Sequence, residues 1–510
     1  MNKLNLTPLK LSIGLSLSLS VAGLIAGCSH LAPNTDAHAT SGQQTTKVYL
    51  PTWQSTKTHK TPNWFLDAKF GIYFHWGPYS VPAHKTEWYS IWMYREGHPI
   101  RKYHEETYGS LDKFGYKDFI PMFTAEHFDP QEWAELFAKS GAKFAGPVSE
   151  HADGFAMWDS EITPWNAKDM GPKRDVVGEM AKAIRDQDMK FIATFHHQWK
   201  YAWYPTWDEN TDASNPKYEK LYGPKVPKGT FVLANKPTNP LPDKAFNDDW
   251  LDRVKEVVDK YEPDLVYFDN KMDIISEQHR LDMLSYVYNA GVKQNRDVMV
   301  TYKGEDLAKG SAVLDLERSR MSEKKDFPWM TDDSIDWNSW THIANPNYKT
   351  TNRLIDFLVD VVSKNGAVLL NITPTAQGVI PQQVRTRLLE MGEWLEQNGE
   401  AIYGTRTWHT YGEGPAKVVE GHLSEFKNKD NTEKDIRFTT KDGDLYAIVL
   451  DWPTEPVTIK ALAKGKHKVS SVSLLGSDEK ISWNQDADGL TIQVPKYQPG
   501  KHAFAFKLDI

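Results

Sequence analysis

The feature that most constrains the fold of this chain is a repeat of pattern with no repeat of sequence. From about Trp53 to Thr405, short apolar runs alternate with longer stretches whose apolar residues recur at helical spacing. The short runs fall at residues 70–74, 143–148, 190–195, 264–268, 297–302, 312–316 and 367–372. The helical stretches fall at 131–140, 175–186, 249–260, 280–292, 351–364 and 381–398. In the third of these, Leu251, Val254, Val257 and Val258 share one stripe. Apolar strands separated by amphipathic helices are parallel βαβ units. Roughly eight such units predict an α/β fold, a (β/α)8-like barrel over residues 49–408. A glycine-rich phosphate loop follows none of the strands, which argues against a nucleotide-binding sheet.

Beyond Trp408 the period shortens. Residues 437–440, 444–450, 457–459, 469–475 and 490–494 are short alternating or apolar runs, punctuated by turn pairs such as Asp442-Gly443 and Asp488-Gly489. That spacing predicts a C-terminal antiparallel β-sandwich over residues 409–510.

The N-terminus is a targeting segment. Lys3 and Lys10 precede an apolar, serine-dotted stretch, residues 11–25, too short and too polar to read as a spanning helix. It closes on Leu24-Ile25-Ala26-Gly27-Cys28, which resembles a bacterial lipobox, so residues 1–28 read as a lipoprotein signal peptide with Cys28 as the lipidated residue. Cys28 is the only cysteine, which rules out an intramolecular disulfide. Ser29 is unlike the aspartate that retains lipoproteins in an inner membrane, so an exported protein of the outer membrane or periplasm is expected, held by its lipid. Residues 29–48, polar and aperiodic, read as a flexible tether. A net charge of −8 offers no basic footprint for nucleic acid.

In a barrel of this kind the chemistry sits just after the C-terminal ends of the strands. The first apolar run ends in His75-Trp76, the second in Ser149-Glu150-His151, the third in His196-His197. The fourth ends in Asp269, the fifth in Lys303 with Glu305 beyond, the sixth in Glu317-Arg318. Packing does not account for six polar strand ends in series, because buried polar groups need partners. Two chemistries fit: glycoside hydrolysis by paired carboxylates, and metal-assisted hydrolysis with His75, His151, His196, His197 and Asp269 as ligands. Neighbouring residues on a strand point opposite ways, so His196 and His197 are not expected to serve one centre. The tryptophans near these positions (Trp76, Trp88, Trp92, Trp158, Trp165, Trp199, Trp203) suit stacking on sugar rings better than a metal cage.

Several motifs carry a resemblance to a known family. Residues 64–82, which include Phe74-His75-Trp76-Gly77-Pro78, are followed by Glu87-Trp88-Tyr89. His151-Ala152-Asp153-Gly154-Phe155, Gly171-Pro172-Lys173-Arg174-Asp175, Ser363-Lys364-Asn365-Gly366, Leu369-Leu370-Asn371-Ile372 and the segment 399–405 come after, in order. Together they resemble the α-L-fucosidases of glycoside hydrolase family 29 over residues 60–408. The resemblance implies a catalytic barrel with a C-terminal sandwich, a retaining mechanism without a cofactor or metal, and a fucosylated oligosaccharide or polysaccharide as substrate. It places the nucleophile at Asp269 and implies Glu317 as acid/base, with Glu305 and Glu323 as rivals. His75, Glu87, Trp88 and His151 would hold the fucose hydroxyls, and Trp88 or Trp340 would wall the C5 methyl. Three positions depart from the family pattern: Ala152 stands where a second histidine is common, Tyr267 where a tryptophan is, and Asn270 where glycine is. His196 or His197 is expected to replace the missing histidine contact, and Tyr267 to shape the subsite. Arg318 and Arg320 are expected to face away from Glu317. A carbohydrate-binding protein that has lost catalysis is the alternative that Ala152 raises.

Overall fold

The computed structural model describes residues 47–233, 240–465 and 467–510. The signal peptide 1–28, Cys28 and the tether up to residue 46 lie outside the described residues. Among the described residues, no helix is long and apolar enough to cross a membrane.

Eight parallel strands close into a barrel in chain order: β1 (Phe70–Phe74), β2 (Phe144–Glu150), β3 (Lys190–Phe195), β4 (Leu265–Phe268), β5 (Met299–Lys303), β6 (Val313–Glu317), β7 (Trp329–Ser334) and β8 (Gly366–Ile372). Closure is made by β8 pairing with β1 in the register Tyr73 to Asn371. Five of the longer helices begin where a side chain can accept their first amide protons. Asp129, Asp175, Asp243, Ser276 and Thr350 cap the helices Pro130–Lys139, Val176–Asp186, Lys244–Tyr261, Glu277–Gln294 and Thr351–Ser363.

Alternation along the strands divides the core. Tyr73, Phe144, Ile192, Leu265, Tyr267, Met299, Val313, Met330 and Leu369 form a buried cluster inside the barrel. The opposite faces, with Phe74, Ala145, Phe191, Val266 and Val300 among them, join the larger core beneath the helices. Stepping two residues along the inward faces of seven strands reaches a rung of polar residues at the barrel mouth. Tyr73 is followed by His75, Thr194 by His196, Tyr267 by Asp269, Thr301 by Lys303, Asp315 by Glu317, Met330 by Asp332 and Leu369 by Asn371.

Two features differ from the sequence reading. Strand β7 is not apolar: Thr331, Asp332, Asp333 and Ser334 are all buried in it. The strand tolerates them because Lys303 pairs with Asp332 and Lys349 with Asp333. Between β5, β6 and β7 the chain runs through turns and bends without a helix, so the units are not uniformly βα.

The C-terminal half contains a five-stranded antiparallel sheet and a three-stranded one. In the first, strands Ser471–Leu474, Phe504–Asp509, Asp444–Val449, Ile436–Lys441 and Arg406–Glu413 are neighbours in that order. In the second, Leu490–Ile492 lies between Val457–Ile459 and Trp483–Gln485. Phe438, Leu445, Phe506, Ile459, Leu490 and Ile492 pack across one core between them. The first strand of this half starts at Arg406, ahead of the expected boundary. A buried ionic cluster fastens the halves: Asp360 on the barrel helix Thr351–Ser363 accepts from Arg437 at 2.6 Å and from Lys364 at 2.8 Å. Arg320 joins it at 3.4 Å from Asp360 and 3.1 Å from Glu425. Removing one partner would strand a buried charge, so this cluster fixes how the sandwich docks.

Candidate active site

The polar rungs converge on a cavity of about 160 Å³ at the C-terminal mouth of the barrel. Its walls include His75, Glu87, Trp88, His151, His196, Trp199, Asp269, Lys303, Glu317, Asp332 and Trp340. Eight of the ten residues expected to act on or bind the substrate line it.

Lys303 is the centre of the electrostatics. Its Nζ donates to Asp269 Oδ1 at 2.9 Å, to Glu317 Oε2 at 3.2 Å and to Asp332 Oδ2 at 3.2 Å. Asp315 lies at 3.8 Å. Because the first two contacts share one nitrogen, the facing oxygens of Asp269 and Glu317 are within about 6 Å of each other. Below them, the hydroxyls of Tyr73 and Tyr267 donate to Asp332 Oδ2 at 2.7 and 3.1 Å, which fixes the carboxylate that fixes the lysine.

The two site carboxyls are driven apart. Burial pushes the Asp269 carboxyl up, but the Lys303 charge, the His196 ring and the lysine hydrogen bond outweigh it and bring it down to about 2. Trp199 Nε1 donates to its other oxygen at 2.9 Å. Burial raises Glu317 to about 7, because the Lys303 charge offsets only part of that rise and Asp269 and Asp332 repel a second anion. Burial, then the Asp269, Asp332 and Glu317 charges, act on Lys303, and the anions win, holding it well above the ordinary lysine range. At neutral pH this leaves a carboxylate, an ammonium and a carboxyl poised to hold or lose its proton.

Opposite stands a polar wall. Asn371 Oδ1 accepts from the backbone of His75 at 2.9 Å and faces its Nδ1 at 2.8 Å, which leaves His75 Nε2 for the cavity. The rings of His75, His151 and His196 lie 5.0 to 5.4 Å apart, and burial lowers all three below the ordinary histidine range. Neutral imidazoles offer one donor and one acceptor each, as hydroxyl groups require. Glu87 accepts the Trp340 backbone N–H at 3.1 Å, and burial raises its carboxyl.

The same trio could in principle hold a metal ion, since one nitrogen from each lies within 4.8 Å of the others. The group beside it suits a neutral ligand better: the Lys303 ammonium occupies the carboxylate face that would complete a ligand set.

Two expected contacts are corrected. His197 turns out of the barrel: its Nε2 bonds the Trp250 carbonyl at 3.0 Å and its ring stacks on that tryptophan. Its neighbour His196 points inward, as alternation demands, and its ring lies 5.0 Å from those of His75 and His151. Tyr267 lies one rung below the cavity, committed to Asp332, and is not a wall. The rivals of Glu317 fall elsewhere: Glu305 and Glu323 are exposed and line none of this cavity. Asn270 has a partner in the site, donating to Glu317 Oε2 at 3.2 Å. Arg318 donates to the carbonyls of Asp336, Trp337 and Ser339 and Arg320 pairs with Glu425, so both guanidiniums leave Glu317 alone.

Sequence reasoning missed Asp332, and it marked Lys303 only as a polar strand end and Trp199 only as one of several candidate stacking faces. The lysine and the tryptophan stood at strand ends already marked as polar or aromatic. Asp332 lay in the strand whose polar composition concealed it. His422 and Leu423, from the C-terminal half, also reach the cavity.

The α-L-fucosidase family model matches residues 37–400, and the model of the α-L-fucosidase C-terminal domain matches residues 428–509. The chain belongs to the α-L-fucosidase family. It is a glycoside hydrolase. Among curated α-L-fucosidases, the tissue enzyme of Rattus norvegicus is 31% identical over 477 residues, covering 91% of this chain and 92% of its own. The tissue enzyme of Homo sapiens is 30% identical over 467 residues, covering 89% and 90%. Among solved structures, the Thermotoga maritima α-fucosidase in complex with fucose is 30% identical, with a TM-score of 0.71 over 90% of this chain and 100% of that one. As in other α-L-fucosidases, then, a barrel is followed by a domain of antiparallel sheets.

Proposed function

We propose that this α-L-fucosidase is a retaining exo-hydrolase that removes a terminal α-L-fucose through a covalent fucosyl–Asp269 intermediate. The observation that carries the reading is Lys303 hydrogen-bonded to both Asp269 and Glu317. Facing oxygens held within about 6 Å of each other by one ammonium are compatible with the ~5–5.5 Å spacing of retaining pairs. In the first step an Asp269 oxygen bonds to the anomeric carbon, the glycosidic C–O bond breaks, and the Glu317 proton passes to the departing oxygen. In the second, Glu317 takes a proton from water, the water oxygen bonds to that carbon, and the Asp269 ester bond breaks. Lys303 holds Asp269 ionised for attack. His75, His151, His196 and Glu87 are the readers of the sugar hydroxyls, with Trp88 and Trp340 as apolar walls. A cavity of about 160 Å³ suits one sugar ring and not a chain passing through, which supports exo action.

The pH profile tests the assignment. Asp269 must be ionised, which holds above about 2, and Glu317 must be protonated, which holds below about 7. The kcat/KM of the wild-type enzyme is therefore expected to be flat across mildly acidic pH and to fall above about 7. In Glu317→Gln that alkaline limb should vanish, together with most of the activity on alkyl fucosides. A limb that persists in the variant would show that another group is the acid.

The export reading of residues 1–28 belongs to the same proposal and rests on the lipobox-like Leu24–Cys28 segment. Cys28→Ser is expected to move the enzyme from the membrane fraction to the soluble one on cell fractionation. Unchanged membrane association would argue against a lipid at Cys28.

A further inference from the structure

Next to the cavity around Asp269 lies a second, outer one of about 420 Å³. The two share Trp199, Asn270, Lys303, Glu317 and His422. His422 is the member contributed by the C-terminal half, and it arrives on a strap, residues 420–425.

The strap is built to hold still. Leu423 N–H donates to the Glu317 carbonyl at 3.1 Å and Glu425 N–H to the Arg318 carbonyl at 2.8 Å. The Ser424 and Ser319 hydroxyls meet at 3.1 Å, and Glu420 accepts the Ser322 N–H at 2.9 Å. The buried Glu425 carboxylate is gripped by Arg320 and Arg353. Two non-glycine residues on facing sides of this contact, Arg318 at φ +41° and Leu423 at φ +53°, sit in the left-handed region. Such conformations persist where surrounding contacts impose them, and they gather at functional sites.

Of the strap residues, Leu423 lines the inner cavity, Glu420 the outer one, and His422 both. The His422 ring is 62% exposed, yet its Nδ1 stands 4.0 Å from Glu317 Oε2. Across the outer cavity, Trp199 offers a ring with the Lys271 ammonium 5.8 Å from its centroid. We propose that the outer cavity receives the leaving-group sugar and that His422 hydrogen-bonds one of its hydroxyls, making the strap the specificity element for the aglycone. This rests on Glu317 being the acid, because the departing oxygen must lie on its side of the cavity. Partial burial and the Lys303 charge lower His422 from the ordinary histidine range, so near neutral pH its ring carries one donor and one acceptor nitrogen.

The test compares two substrates that need the same protonation of a poor leaving group: an α-L-fucosyl disaccharide and methyl α-L-fucoside. In His422→Ala, the ratio of their kcat/KM values is expected to fall about fivefold to tenfold, the scale of one hydrogen bond. In His422→Gln, which keeps a donor and an acceptor, part of that ratio should return. A ratio within twofold of wild type in His422→Ala, across a panel of linkage-defined disaccharides, overturns the proposal. The acid assignment fails separately: Glu317→Gln is expected to depress both substrates alike, and its readout is the alkaline limb, which His422→Ala should retain.

Discussion

Asp269→Gly is expected to lower kcat on aryl α-L-fucosides by on the order of 10⁴-fold or more, the scale on which a nucleophile supports a covalent route. Asp269 is buried, accepts from Lys303 and Trp199, and is the ionised member of the pair. Removing the carboxylate leaves space where attack on the anomeric carbon begins. Azide supplied in solution should enter that space and restore part of the rate. Because it attacks from the face that Asp269 occupied and nothing displaces it afterwards, the product should be the β-L-fucosyl azide. Product analysis by NMR therefore reads the stereochemistry directly. Turnover near the wild-type rate, or an α-configured azide, would refute Asp269 as nucleophile. The fold should tolerate the change: Lys303 keeps Glu317 and Asp332 as partners, and one buried negative charge is removed from a cluster rich in them.

Lys303→Met is expected to be the more damaging substitution for stability. The lysine is the counter-charge for Asp269, and its Nζ also lies within 4.0 Å of the Asp315, Glu317 and Asp332 carboxyls. A thioether of similar length fills the volume but leaves the carboxylates unpaired, a loss of about 3–5 kcal/mol for a buried ionic contact broken from one side. The sign of the pH dependence follows from the shifts. Asp269 is depressed to about 2 in the folded protein, so its pairing stabilises the fold above the unfolded pKa of ~3.9 and is lost as pH falls toward about 2. In the variant that depression disappears and the carboxyls protonate more readily. The gap in melting temperature between wild type and Lys303→Met should thus be widest near neutral pH and narrow as pH drops below about 4. Equal gaps at pH 7 and pH 3 would mean that packing, and not charge, explains the loss. Activity should fall as well, since Asp269 would no longer be held ionised beside a raised Glu317.

The departures from the family pattern acquire physical meanings in the structure. Ala152 removes one imidazole, and His196 puts another in the same wall from the adjacent strand. Asn270, where glycine is frequent, gives Glu317 a second donor. Tyr267 belongs to the support of Lys303 through Asp332 and touches the sugar site only through them.

Most of the barrel was legible in local pattern, because a strand buried on both faces must be apolar and a helix on its outside must be striped. The one strand that escaped, β7, carries Asp332 and Asp333, and its burial makes sense only once Lys303 and Lys349 are seen to meet it. The position of Asp269 after an apolar run, and the opposite facing of His196 and His197, likewise follow from a two-residue period. Chain pattern does not encode which strand ends come together around a common centre. Lys303 reaches three carboxylates from three other strands because the barrel closes with a particular register, and His422 reaches Glu317 because a sandwich docks through buried ions and a strained strap. Contacts between residues so far apart in the chain depend on strand register and domain docking, which are settled by packing of the whole molecule and by no local run of residues.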